Sequence, residues 1–483
     1  MDFESHIAAM DTAQGVRLGS RAVQTPGTFT VINPATEEVL ARVSDGDTGS
    51  ARAAVDAATA ALPEWASTSP RRRSEILRSA YVAVMADTDR LTALICAENG
   101  KSQADARAEI AYAAEFFRWF SEEAVRTDGS YGVSPAGDAR IVVSHRPVGV
   151  AALVTPWNFP AAMLARKIAP ALAAGCTVVV KPAEETPLTA LAIHELLHRA
   201  GVPDGVVNTV PTTDAAAIVD CWLSDPRVRK ISFTGSTAVG RLLLRRGADR
   251  IINSSMELGG NAPFIVTADA DIEAAVDGAM IAKFRGTGQA CTAANRFFVH
   301  TDIADEFVTR LTAAVSALRV GPASDPTSQV GPLISDRAVQ RIRALVSDAV
   351  ADGASIEAQV AVPDRGYYLA PTVLSGVPAH ARILAEEIFG PVAPVATWDD
   401  EEEVIAKANA TEFGLAAYVY SGRLQNALSI SERIDAGMVG INRGVVSDPS
   451  APFGGTKQSG LGREGARVGL HEFQETQYFS IEP

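Results

Sequence analysis

Between Val148 and Glu257 the apolar pattern changes period again and again, and this alternation limits the possible folds more than any other feature of the chain. Strand-like apolar runs at Val148–Val154, Cys176–Val180, Val206–Val210, Arg229–Phe233 and Ile251–Met256 are separated by helical spacing over 161–174, 188–200, 215–223 and 239–246. Strand and helix in alternation predict βαβ units and a parallel sheet. Such a sheet binds ligands at the carboxyl ends of its strands. A second alternating region runs from Gly260 to about Ala451, and 483 residues exceed what one core holds, so two α/β domains with a cleft between them are expected. Before the first array, Phe29–Ile32 reads as an extended piece ahead of the Asn33-Pro34 turn. Leu77, Ala80, Tyr81 and Val84 then mark a helical stretch from about Ala51 to Arg126, with Asn99-Gly100 as a helix stop. Arg71–Arg73 reads as a solvated face, Arg140–His145 as an exposed strand, and Phe473–Ile481 as a final strand.

Composition narrows the class of partner. A net charge of -14 argues against nucleic acid or an anionic membrane. The four cysteines, Cys96, Cys176, Cys221 and Cys291, are too far apart for a disulfide framework, which fits a reducing cytoplasm. Met1–His6 lacks the basic and apolar regions of an export signal, and no run of about 18 apolar residues occurs, so a soluble, unexported protein is expected.

The chemistry centres on Arg285-Gly-Thr-Gly-Gln-Ala-Cys291, where a glycine-flanked cysteine follows a helical segment. Gly286 and Gly288 are expected to let backbone and a flat ligand approach the sulfur, and Cys291 reads as a nucleophile. Three loops at strand ends stand out. Thr155-Pro-Trp157-Asn158-Phe-Pro160 presents an amide able to donate to an oxyanion. Lys181-Pro-Ala-Glu184 offers groups for a ribose, and Gly235-Ser236 opens a helix whose free N–H groups could receive a phosphate. Glu257, followed by Leu-Gly-Gly, can serve as a general base for water. Two formal motifs are set aside. Gly460-Leu-Gly462-Arg-Glu-Gly465 follows a turn-rich stretch rather than a strand, so it is not read as a dinucleotide site. His194-Glu-Leu-Leu-His198 has zinc-peptidase spacing but lies inside the βαβ array, so no metal is expected.

Taken in order, PWNFP, KPAEETP, FTGST, MELGGN, GQAC and EEIFGP resemble the aldehyde dehydrogenase superfamily from Asn33-Pro34 to the last strand. The resemblance implies an α/β fold with two Rossmann-like parallel-sheet domains and a small β arm for oligomerisation. The NAD(P)-binding domain would comprise 1–128 and 148–257, the catalytic domain 258–455, and the arm 129–147 with 456–483. Homodimers or homotetramers are implied. Cys291 would attack an aldehyde, Asn158 and the Cys291 N–H would hold the oxyanion, and Glu257 would activate water for thioester hydrolysis. Thr155, Trp157, Lys181, Glu184, Gly235, Ser236, Leu258, Glu387 and Phe389 would hold the cofactor. Glu184 should favour NAD, since a carboxylate bonds a ribose 2′-hydroxyl and repels a 2′-phosphate, although Lys181 could still accept NADP.

Within that superfamily the chain is most similar to succinate-semialdehyde dehydrogenases. The similarity implies that Arg166, Arg285 and Ser447 bind the distal carboxylate and that Phe159 and Phe453 line the tunnel. Guanidinium forks suit carboxylates. Glutarate semialdehyde is the runner-up, since one methylene is worth only about 1–3 kcal/mol. A zinc peptidase and a catalytically silent scaffold are the readings from other classes. Ala293 stands where some relatives have a second cysteine, so a disulfide switch there is not expected.

Overall fold

The structure is a computed structural model and describes residues 13–483; the Met1–His6 segment read for export signals lies outside them. The predicted alternation builds an eight-stranded sheet in the order Gly460–Leu461, Asn253–Glu257, Val228–Thr234, Val150–Val154, Thr177–Lys181, Val207–Thr209, Val16–Leu18, Arg21–Val23. Its five inner strands run parallel, and the outer ones pair antiparallel. The helices following Val150–Val154 and Thr177–Lys181 make the crossovers that parallel pairing requires. All residues of those two strands are buried, as expected of strands covered on both faces. Val150–Val154 is the first of the five in sequence yet lies between Thr177–Lys181 and Val228–Thr234, so strand order reverses around it. The Thr155–Phe159 loop therefore leaves the sheet at its switch point, where such sheets open a crevice.

The second array forms a seven-stranded sheet ordered Ser355–Gln359, Thr372–Ser375, Val392–Trp398, Ala294–His300, Ala262–Val266, Ala416–Tyr420, Met438–Ile441, parallel except for its first pair. Its strand Ala262–Val266 follows Asn253–Glu257 of the first sheet after only the Leu258–Asn261 link, so Glu257 stands at the passage between the two sheets. The Arg140–Pro147 and Gln474–Ile481 segments pair antiparallel from Arg140↔Ile481 to Pro147↔Gln474, with Ser130–Val133 on the other side. Tyr131, Val133, Tyr478, Phe479 and Ile481 are exposed on this three-stranded sheet. Within 456–483, Gly460–Leu461 pairs with Met256 and Glu257 at the edge of the eight-stranded sheet.

Two sequence expectations change. Arg73 is buried: its Nε donates to Ala173 O at 3.0 Å and its Nη1 to Thr68 O, so it ties two helix ends together rather than facing solvent. The short strands Val16–Leu18 and Arg21–Val23 extend the first sheet, which the pattern did not reveal at three residues each. Among the described residues no helix is long and apolar enough to cross a membrane.

Candidate active site

Two cavities meet at Cys291. One is lined by Asn158, Phe159, Arg166, Arg285, Ser447 and Phe453; the other by Trp157, Gly235, Ser236, Leu258, Glu387 and Phe389; Asn158 and Cys291 belong to both. The residues predicted for substrate thus share one chamber, and most of those predicted for cofactor share the other.

The cysteine is presented by a short 3-10 turn, Arg285–Gly288, that ends the helix Ile272–Phe284. Gly286, Thr287 and Gly288 all have φ near +60°, at 58°, 57° and 70°. Gly286 serves the positive φ, and a Cβ on Gly288 would collide with the Gly390 carbonyl, so the glycines let the loop fold against the 387–390 turn. Holding Thr287 in this region costs about 1–3 kcal/mol, a strain typical of active-site turns.

The Asn158 side chain donates to Gln289 O at 3.0 Å, which leaves its second amide N–H free for a ligand. Burial pushes the Cys291 thiol up to about 12; the Arg166 guanidinium opposes this, and the Glu387 and Glu257 carboxyls add to it. The thiol is therefore protonated at neutral pH and needs a base before it can attack. Glu257 ends the strand Asn253–Glu257 and is raised well above the carboxylate range by burial and then by Glu464, with Lys167 and Arg166 pulling the other way. It lines neither cavity, and its Oε1 is turned toward Gly454.

In the first chamber, Arg166 lies with its guanidinium 3.9 Å from the centre of the Phe453 ring, bonded to the Tyr112 hydroxyl and 3.5 Å from Glu464. Arg285 has no ion-pair partner among the described residues, so an unpaired guanidinium faces this chamber. In the second, Ser236 is the N-cap of the helix Thr237–Ala248, accepting from Val239 N at 3.4 Å, and stands exposed at the cleft. The Trp157 and Phe389 rings meet edge to face at 5.5 Å. Glu387 accepts from Gly260 N at 3.1 Å, and burial raises it to about 7. A helix N-terminus at the cleft for phosphate, flat aromatic walls and a half-buried carboxylate for a hydroxyl fit a dinucleotide. Thr155, Lys181 and Glu184 do not line this cleft: Thr155 N donates to Lys181 O at 3.1 Å, Lys181 pairs with Glu184 at 2.9 Å, and the neighbouring Glu185 forms the wall.

Several residues at the site were missed from sequence. Lys101, Asp105, Glu109 and Tyr112 line the first chamber, the last three on the helix Gln103–Glu123. Asp105, Glu109 and Tyr112, spaced by four and three, share one face of that helix, which marks the face but not what it packs against. Lys167 bonds Glu464 at 2.6 Å, and Glu464 lies inside the Gly460–Gly465 run set aside as a nucleotide motif. The run instead pairs along the edge of the strand Asn253–Glu257. In the HELLH segment both His194 ring nitrogens are engaged, with Thr209 Oγ1 and Gly19 O each at 2.9 Å, so His194 has no nitrogen left for zinc.

The aldehyde dehydrogenase family profile matches residues 21–479. The chain is 51% identical to a succinate-semialdehyde dehydrogenase of Paenarthrobacter nicotinovorans, over 92% of this chain and 99% of that one. The chain belongs to the aldehyde dehydrogenase family. Other members of the family are nearly as similar: a glutarate-semialdehyde dehydrogenase of Pseudomonas putida is 46% identical over 94% of each chain. A crystal structure of an NADP-dependent enzyme from Escherichia coli superposes with a TM-score of 0.96 at 44% identity, covering 98% of each chain. The protein is thus a nicotinamide-dependent aldehyde dehydrogenase with the α/β fold of its relatives.

Proposed function

We propose that this aldehyde dehydrogenase oxidises a short ω-carboxy aldehyde, with succinate semialdehyde as substrate and succinate as product. The observation that carries this reading is the unpaired Arg285 guanidinium in the chamber that also holds Cys291, with Arg166 and Ser447 beside it. An arginine without an ion-pair partner in the substrate chamber favours an anionic substrate over a neutral one. Phe159 and Phe453 give the chain between aldehyde and carboxylate its apolar walls.

Cys291, its thiol proton released to bulk water, attacks the aldehyde carbon, and the free Asn158 N–H with the Cys291 backbone N–H holds the oxyanion of the thiohemiacetal. Bound in the second chamber, the nicotinamide supplies the hydride acceptor for its collapse to a thioester. Gly235 and Ser236 would hold the diphosphate of that cofactor, and Glu387 a ribose hydroxyl. Glu257, rotating from Gly454 toward Cys291, takes a proton from the water that hydrolyses the thioester; burial and the neighbouring Glu464 raise its affinity for that proton. The cofactor reading is NAD, on the expectation that the Glu184 carboxylate repels a 2′-phosphate, although Glu184 stands outside the second chamber and is paired with Lys181. A cytoplasmic homodimer or homotetramer is supported by the free, widely spaced cysteines and by the exposed apolar residues of the 130–147 and 474–481 sheet.

The test is NADH formation with succinate semialdehyde, glutarate semialdehyde and butanal, repeated with NADP. Arg285→Ala should lower kcat/KM for the charged aldehydes about 10–150-fold, the worth of one charge-assisted hydrogen bond, and leave butanal unchanged. Equal loss on all three sinks the carboxylate reading. Faster turnover with NADP sinks the cofactor reading alone.

A further inference from the structure

Lys101 precedes the helix Gln103–Glu123 and is buried at 3% side-chain exposure, paired with a Glu109 that is fully buried. Besides Glu109, its ammonium donates to the main-chain oxygen of Asn158 at 2.6 Å and lies 3.5 Å from the centre of the Phe159 ring. The other Glu109 oxygen accepts from Ala161 N at 2.9 Å and Ala162 N at 3.3 Å. Asn99 Nδ2 donates to Trp157 O at 2.9 Å. The backbone is therefore pinned before, at and after Asn158 from a single short stretch of chain. That stretch also reaches the opposite bank: Asp105 Oδ2 accepts from Gly286 N at 2.9 Å, in the turn that carries Cys291.

A buried ion pair is poor evidence of stabilisation, because desolvating both charges offsets their attraction. A positional role explains the pair better. An oxyanion donor is effective only within about 2.7–3.1 Å of the developing charge, and small displacements of a catalytic group lower rates steeply. We propose that Lys101, braced by Glu109, is a positioning residue that fixes the Asn158 amide relative to Cys291. The proposal rests on the oxyanion reading of Asn158.

The test uses the double variant Lys101→Met with Glu109→Gln, in which the glutamine oxygen still accepts from Ala161 N and no buried charge is left alone. Aldehyde oxidation should fall about 10–100-fold in kcat. NADH affinity by fluorescence titration, and alkylation of Cys291 by iodoacetamide, which develops no oxyanion, should stay within twofold. In an Asn158→Ala background the double variant should cause no further loss. Glu109→Gln alone is the second variant, expected to show the same pattern at about 3–10-fold. A kcat within twofold of the parent, a parallel fall in alkylation, or an undiminished loss in the Asn158→Ala background overturns the proposal. If Asn158→Ala itself leaves kcat intact, the oxyanion reading fails and the proposal falls with it.

Discussion

Three helices that follow parallel strands of the first sheet start in different ways. Pro160–Ala174 and Pro187–Arg199 begin with proline and have no side-chain cap of their own. Each is capped by a distant buried carboxylate: Glu109 accepts from Ala161 N and Ala162 N, and Glu98 accepts from Leu188 N at 2.7 Å and Thr189 N at 2.9 Å. The third helix, Thr237–Ala248, is capped by its own Ser236 and keeps its N-terminus facing the cofactor cleft. Helix N-termini attract negative charge, and here two are satisfied from within the protein. The third is capped by a neutral serine hydroxyl alone and has no carboxylate against it, which leaves room there for an anionic ligand. The free N-terminus alone would be a weak signal, as it was in the sequence; the contrast with its two filled neighbours gives it meaning.

The most damaging break in this pattern is Glu109→Ala, which uncaps Pro160–Ala174 and strands the buried Lys101 charge. Removing one partner of such a pair costs about 3–5 kcal/mol, so a large drop in urea midpoint is expected. Ser236→Asp makes the third N-terminus resemble the first two. Aspartate caps as well as serine, so thermal stability should hold or rise, while the new carboxylate should weaken NADH binding about 10-fold or more by fluorescence titration. Unchanged affinity would mean that no phosphate sits there.

A subtler change sharpens the comparison through pH. Burial raises Glu98 to about 8, above its ordinary 4.5, despite its two amide bonds. The folded state then binds this proton more tightly than the unfolded state, so its contribution is complete below about pH 4.5 and is lost as pH rises toward 8. Glu98→Gln should flatten the decline in stability across that window and leave activity unchanged. A decline identical to the parent's would show that Glu98 is not its source.

The parallel core was legible because strands covered on both faces must be continuously apolar, and Val150–Val154 and Thr177–Lys181 could hardly be anything else. Strand ends moved by a residue or two, as with Ile251–Met256, which begins at Asn253 and ends at Glu257. Among site residues, Cys291 and Asn158 were visible because their loops break the apolar pattern with glycine, proline and polar groups. Lys101 and Glu109 were not, because their partners are up to 57 residues away and nothing in a helical period says which carboxylate will cap which helix. Glu464 was hidden for a related reason. Its motif invited a nucleotide reading, while its real partner, Lys167, lies 297 residues earlier.

That long reach has a consequence for synthesis. Glu464 influences Glu257 directly and is held by Lys167, so the charge environment of the base is complete only after residue 464 has left the ribosome. At about 5–20 residues per second, on the order of 15–60 seconds separate the two partners of that bond during translation. The nascent polypeptide carries Cys291 and a buried Lys167 for much of that time before the carboxylate that pairs with the lysine exists.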